Sequence, residues 1–201
     1  QESAMPETES FSTQITVVSG LPRSGTSMMM KMLEAGGIPP LTDRLRTADE
    51  DNPKGYYEFE RVKKLPEGDT SWLPDAVGKS VKVIAALLQY LPAEYEYSVI
   101  LMRRAMDEIL SSQRQMLIRR GEDPDKMDDA VIAGLFEKHM RQVEAWIASQ
   151  PNIHSLDVSY NDMLQYPVAY VDKINRFLGG RLDASRMAEV IDPALYRQRQ
   201  G

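Results

Sequence analysis

Ile15-Thr16-Val17-Val18-Ser19-Gly20-Leu21-Pro22-Arg23-Ser24-Gly25-Thr26-Ser27 decides the reading of this chain. Its first five residues are mostly apolar and β-branched, the mark of a buried strand. A helical pattern runs from about residue 24 to 35, and Gly36-Gly37 followed by Pro39-Pro40 ends it. Strand, glycine turn and helix together open an α/β unit. The turn between them is a natural anion cradle, because backbone N–H groups at a helix start point into it and the helix dipole favours negative charge there. Gly20 and Gly25 are spaced as in the nucleotide loop G-x-x-x-x-G-K-[ST], but Thr26 stands where that motif has lysine. The cation lies inside the loop instead, at Arg23. Two glycines alone would mark only a connection; Arg23 and the hydroxyls of Ser24, Thr26 and Ser27 make the stretch read as a binding loop.

Further along, 81–84 reads as a second strand, 97–102 as the strongest strand of the chain, and 155–160 as another. Helical patterns cover about 57–65, 85–91, 106–120, 163–178 and 184–190. A longer helix, capped by Asp128 or Asp129, runs to about residue 149. Pro167 fits the first turn of its helix. Residues 41–55 and 66–78 are rich in breakers and read as loops. Strands alternating with helices predict an α/β fold in three layers, with a central parallel sheet whose ligands bind at the carboxyl ends of the strands. Residues 1–13 are expected to be a flexible lead-in and 14–201 a single domain.

Composition narrows the chemistry. The 201 residues carry 24 Lys and Arg against 30 Asp and Glu, a formal charge of −6, which argues against a general nucleic-acid or membrane-surface binder. The absence of cysteine excludes disulfides, thiolate catalysis, zinc–thiolate sites and iron–sulfur clusters. Two histidines, His139 and His154, are too few for a His-rich metal centre. No apolar run reaches the roughly 18 residues of a membrane span, and the polar start lacks the order of a signal peptide, so the expected location is cytoplasmic. The strand at 97–102 ends in Arg103-Arg104, where nucleoside triphosphatases place an Asp for magnesium. A cation there suits direct contact with an anion, so no metal is expected.

These residues resemble the family of sulfotransferases that use 3′-phosphoadenosine-5′-phosphosulfate (PAPS). The family's first motif, Pro-Lys/Arg-Ser-Gly-Thr-Thr/Ser after a strand, is similar to Pro22-Arg23-Ser24-Gly25-Thr26-Ser27. Its second, a strand ending in Arg with Ser eight residues on, is similar to Arg103 and Ser111, with Asp107 between them. Its late Tyr-Glu-Asp-Leu run is similar to Tyr160-Asn161-Asp162-Met163-Leu164. The resemblance covers about residues 15 to 180, and the chain departs from it at Arg104-Ala105-Met106, where the family usually has Asp/Asn-Pro. It implies a P-loop NTPase-like sulfotransferase fold, PAPS as donor, 3′,5′-ADP (PAP) as product and no metal. By it, Pro22, Arg23, Ser24, Gly25, Thr26 and Ser27 would hold the 5′-phosphosulfate, Arg103 and Ser111 the 3′-phosphate, and Tyr160 would lie near the adenosine. Lys82 would steady the transferring group, its other reading being a solvent-facing residue on an edge strand. Arg197 and Arg199 resemble a basic tail that closes over the nucleotide, or are solvated as a terminus.

The general base is the open position. Glu58, after a turn-rich loop that should overhang the sheet's carboxyl edge, is the first choice; Glu60 and Asp43 are fallbacks, and neither histidine has a motif around it. Capping or solvating a short helix is the plain alternative for Glu58. Tyr56, Tyr57, Phe59 and Trp72 either line an acceptor pocket or fill the core beneath the loop. By the resemblance, the acceptor would be a hydroxyl or amine on a small molecule or peptide. The helix 129–149 offers a homodimer face, with burial on its own sheet the simpler account. Competing functions are an ATP-dependent P-loop kinase and a non-catalytic nucleotide-binding scaffold; a dinucleotide dehydrogenase is disfavoured because no G-x-G-x-x-G follows the first strand.

Overall fold

In the computed structural model, the residues described are 13–43 and 57–191. All but the last residue of the lead-in, most of loop 41–55, Tyr56, and the tail with Arg197 and Arg199 lie outside them. Four strands, β1 (Gln14–Gly20), β2 (Ser80–Lys82), β3 (Glu96–Arg103) and β4 (Ile153–Ser159), form one parallel sheet in the order β2-β1-β3-β4. Residues 15 to 20 of β1 are all buried, as expected of a strand covered on both faces. Alternate side chains enter opposite layers. Ile15 and Val17, with Tyr97, Val99 and Leu101 of β3, join one core; Val18, with Ile100 and Met102, joins the other.

The helices sort onto these two faces. On the second lie α1 (Thr26–Gly36), α5 (Tyr160–Gln165), α6 (Pro167–Phe177) and α7 (Ala184–Val190), whose apolar residues fill that core. On the first lie a 3₁₀ segment (Glu60–Glu67), α2 (Leu73–Ala76), a second 3₁₀ segment (Ala85–Tyr90) and α4 (Asp129–Ala148), with α3 (Met106–Arg119) joining them through Ile109. The three-layer α/β arrangement follows. Gly37, at φ 112, ends α1: its N–H donates to the Glu34 carbonyl and that of Ile38 to the Leu33 carbonyl, the closed C-terminal turn that glycine permits. Asp128, not Asp129, caps α4 by accepting from the Ala130 N–H at 2.8 Å. The helix is buried over its C-terminal half (Met140, Val143, Ile147), while Val131 and Leu135 are 53% and 54% exposed.

Three boundaries differ from expectation for local reasons. The loop expected at 66–78 contains α2, anchored by Trp72, which is fully buried, donates its indole N–H to the Asp69 carbonyl at 2.9 Å and packs edge-on against Phe59. The short helix expected at 57–65 is instead the 3₁₀ segment beginning at Glu60; Arg61 grips Asp69 and Ser71 across it. The helix expected at 163–178 is two, α5 and α6. Tyr166 leaves helical geometry at φ −127°, ψ 62°, because proline disfavours a helical residue before it, and Pro167 then starts α6 where its missing N–H costs nothing. Among the described residues no helix is long and apolar enough to cross a membrane.

Candidate active site

The loop between β1 and α1 sits at the carboxyl edge of the sheet, between β2 and β3. Its two glycines are required by space. A Cβ at Gly20 would lie 2.6 Å from Ser24 Oγ and 2.9 Å from the Met102 carbonyl; one at Gly25 would lie 2.4 Å from the Tyr160 ring. Ser24 is 1% exposed and donates its hydroxyl to the Leu21 carbonyl at 2.6 Å, which closes the turn. Gly25 is the N-cap of α1 at φ 93, so no side chain caps the helix, and its first turn holds no acidic residue. Among the described residues, α1 thus brings no capping side chain and no carboxylate of its own first turn to its leading amides and the positive end of its dipole, an arrangement suited to an external anion.

Arg23 stands at φ 71, the single non-glycine residue with positive φ among those described. Such a conformation costs about 1–2 kcal/mol for an L-residue and persists only when its surroundings hold it. Its Nε donates to Ser112 Oγ at 2.8 Å, and its carbonyl accepts from Arg104 Nη1 at 2.9 Å. Pro22 is exposed at the tip of the loop, and Thr26 begins α1.

On the other side, Lys82 ends β2. Its side chain is 8% exposed, and Nζ donates to Ser27 Oγ at 2.9 Å and to Glu58 Oε1 at 3.4 Å. The solvent-facing reading of Lys82 is thus corrected: the lysine turns inward, over the start of α1. Glu58, 28% exposed, keeps a path to water while it leans on Lys82. Asp43, a fallback for the base, accepts from the Glu60 N–H, and Glu60 pairs with Lys63. His154 is the second residue of β4 at the far edge of the sheet, its side chain 64% exposed and 3.7 Å from Glu96. Trp72 and Phe59 fill the core, and the Tyr57 hydroxyl donates to Glu34 at 2.7 Å.

Arg103 ends β3 and pairs with Glu144 of α4 and, at 3.2 Å, with Asp157 of β4. Ser111 is exposed on α3; Ser112, which sequence spacing missed, is the serine that meets Arg23. Consecutive helical residues are turned by about 100°, so a one-residue difference selects another face. Tyr160 is 4% exposed, enclosed by Gly25 and by the Arg104 guanidinium 4.7 Å from its ring centre. In this position it is a floor beneath the loop. A cavity of about 240 Å³ opens beside Ser24 and Arg103, with Leu21, Met102 and Met140 among its apolar walls and Arg141 and Glu144 at its side.

A sequence profile of the sulfotransferase domain matches residues 13–200. The chain belongs to the sulfotransferase family. Among solved structures, it is similar to the sulfotransferase domain of the Synechococcus PCC 7002 olefin synthase, at 16% identity over 99% of this chain and 88% of that one, with a TM-score of 0.51. It is also similar to sulfotransferase STF1 of Mycobacterium tuberculosis H37Rv, at 16% identity over 89% of this chain and 70% of that one, with a TM-score of 0.57. No curated protein matches it by sequence. At these identities the structural likeness establishes the fold, and the profile establishes the family of this sulfotransferase domain.

Proposed function

We propose that this sulfotransferase moves a sulfuryl group from PAPS to a hydroxyl or amine, with Glu58 as general base. One observation carries the reading: Lys82 Nζ bridges Ser27 Oγ and Glu58 Oε1, which puts a buried cation and a water-accessible carboxylate together at the uncapped start of α1. An anion held on the loop amides would be flanked by Arg23 on one side and Lys82 on the other. Glu58 takes the acceptor's proton as its oxygen or nitrogen bonds to sulfur. The sulfur–oxygen bond to the 5′-phosphate breaks, and its electron pair stays on the departing phosphate oxygen of PAP. Arg23, Lys82 and the loop N–H groups stabilise that developing charge; each fixed donor of this kind is worth about 3–4 kcal/mol. Arg103, at the end of β3, and Ser111 would receive the 3′-phosphate, Arg103 exchanging its carboxylate partners for it. Arg103, which ends β3, and Arg104, which follows it, disfavour a magnesium-dependent kinase, which needs an acid at such a position.

The test combines calorimetry with a transfer assay using sulfur-labelled PAPS and a panel of alcohols, phenols and amines. The chain should bind PAP without magnesium and in preference to ATP–magnesium. Glu58→Gln should slow transfer about 10²- to 10⁴-fold while leaving PAP affinity within two-fold. Preference for ATP–magnesium would overturn the donor, and a normal Glu58→Gln rate would overturn the base.

A further inference from the structure

Arg104 occupies a position that neither the loop motif nor the anion-binding role of Arg103 explains. Arg103 turns out toward Glu144 and Asp157, whereas Arg104 turns in, with its side chain 8% exposed. Its guanidinium makes three contacts at once. Nη1 donates to the Arg23 carbonyl at 2.9 Å, Nε donates to Glu108 Oε2 at 3.1 Å, and the plane lies 4.7 Å from the centre of the Tyr160 ring. That ring is the surface on which Gly25 rests. Arg104 therefore holds the loop at Arg23 directly and at Gly25 through Tyr160. Glu108, 5% exposed, also accepts from Asn161 Nδ2 at 3.1 Å, and Asn161 Oδ1 accepts from the Ala105 N–H at 3.0 Å. The end of β3 and the starts of α3 and α5 are thus tied into one network with the loop.

We propose that Arg104 is a positioning residue for the phosphosulfate loop: by holding the Arg23 carbonyl, it keeps that residue in its left-handed turn and so keeps the Arg23 side chain and the α1 amides aimed at one point. The inference rests on the proposed role of the loop in sulfuryl transfer. Its charge is not what the loop uses, because Glu108 neutralises it within the network. What matters is a planar fork that donates in two directions and stacks on a ring, which an ammonium group cannot reproduce.

Arg104→Lys keeps the charge and removes the fork. The pair Arg104→Gln with Glu108→Gln removes both charges, so no buried ion is left unpaired and folding is preserved. Amide hydrogen exchange on the ligand-free protein reads the loop without relying on catalysis. Both variants should exchange at Met29, whose N–H donates to the Gly25 carbonyl at the foot of the loop, at least ten-fold faster than the parent, with the amides of β1 and β3 unchanged; unchanged exchange at Met29 overturns the proposal. In the transfer assay, Arg104→Lys should lower kcat about 10- to 100-fold with the acceptor KM unchanged, and should add no further loss to Arg23→Ala. Fully additive losses overturn it. Failure of the parent protein to use PAPS would refute the functional reading, while the exchange comparison would still judge Arg104.

Discussion

Gly25→Ala tests the loop's geometry most directly. A Cβ at this position would sit 2.4 Å from Tyr160 Cδ2 and 2.9 Å from Cε2, so the ring must retreat by about 1 Å to reach ordinary contact. The ring has little room: Tyr160 is 4% exposed, and the Arg104 guanidinium, held by Glu108 and the Arg23 carbonyl, lies 4.7 Å from its centre. Forcing a side chain into such a place costs about 1–3 kcal/mol. The backbone at φ 93 adds about 1–2 kcal/mol for any residue with a Cβ. The expected loss is therefore about 2–5 kcal/mol from a total stability of about 5–15 kcal/mol. With a urea slope of about 2 kcal/mol/M, the unfolding midpoint should fall by about 1–2.5 M. PAP affinity should fall with it, because the amide that opens α1 is displaced. Gly37→Ala is the control: its φ is 112, but a Cβ there meets nothing within 4 Å, so it carries the backbone cost alone and should leave PAP binding untouched. A Gly25→Ala protein that unfolds at the parent's midpoint and binds PAP normally would refute the reasoning.

Lys82→Met should reduce turnover about 10²- to 10³-fold with little change in melting temperature, since the Glu58 carboxylate it leaves behind still reaches water; a rate within two-fold of the parent removes Lys82 from the chemistry. Arg103→Ala should weaken PAP about 10- to 100-fold, corresponding to about 1.5–3 kcal/mol for a charged hydrogen bond, and spare adenosine 5′-phosphate; equal losses for both ligands contradict a 3′-phosphate contact. Glu144→Gln should act in the opposite sense on PAP, by removing an anion that competes for Arg103. Hydrogen bonding from Arg61 holds the Asp69 carboxyl below its ordinary value of 3.8, so its contribution to stability is fully present above that value and is lost as pH falls through the lower folded one. The difference in urea midpoint between the parent and Asp69→Asn should be constant from pH 7 to about 5 and close on further acidification; a difference that ignores pH would show the pair to be idle.

Contiguous patterns carried most of what could be read in advance. The apolar runs of β1 and β3, the glycines that bracket Arg23, and an acid ahead of α4 are local signals, and each produced the element expected of it. What escaped depends on direction or on distant partners. Lys82 lies in a strand of three residues, too short for its alternation to say which way the side chain points, and its partners Ser27 and Glu58 are 55 and 24 positions away. Ser112 was missed because a spacing of eight residues does not fix which neighbour on α3 faces the loop. Local pattern does not say which of Arg103 and Arg104 turns inward; the burial of Arg104 follows from Glu108, Tyr160 and a carbonyl 81 residues earlier in the chain. The break at Tyr166 was marked by Pro167, but continuous apolar spacing masked it.

The brevity of β2 has a further consequence. Among the described residues, Ser80, Val81 and Lys82 are the register partners of β1 in this strand, and a short clip of residues 39–41, bonded to Ser80 through Pro39 and Leu41, runs along the outer side. The ammonium over the loop thus hangs from the edge strand with the shortest pairing in the sheet. On warming, that margin would peel before the interior loosens, so transfer should fade several degrees below the temperature at which the bulk of the molecule melts.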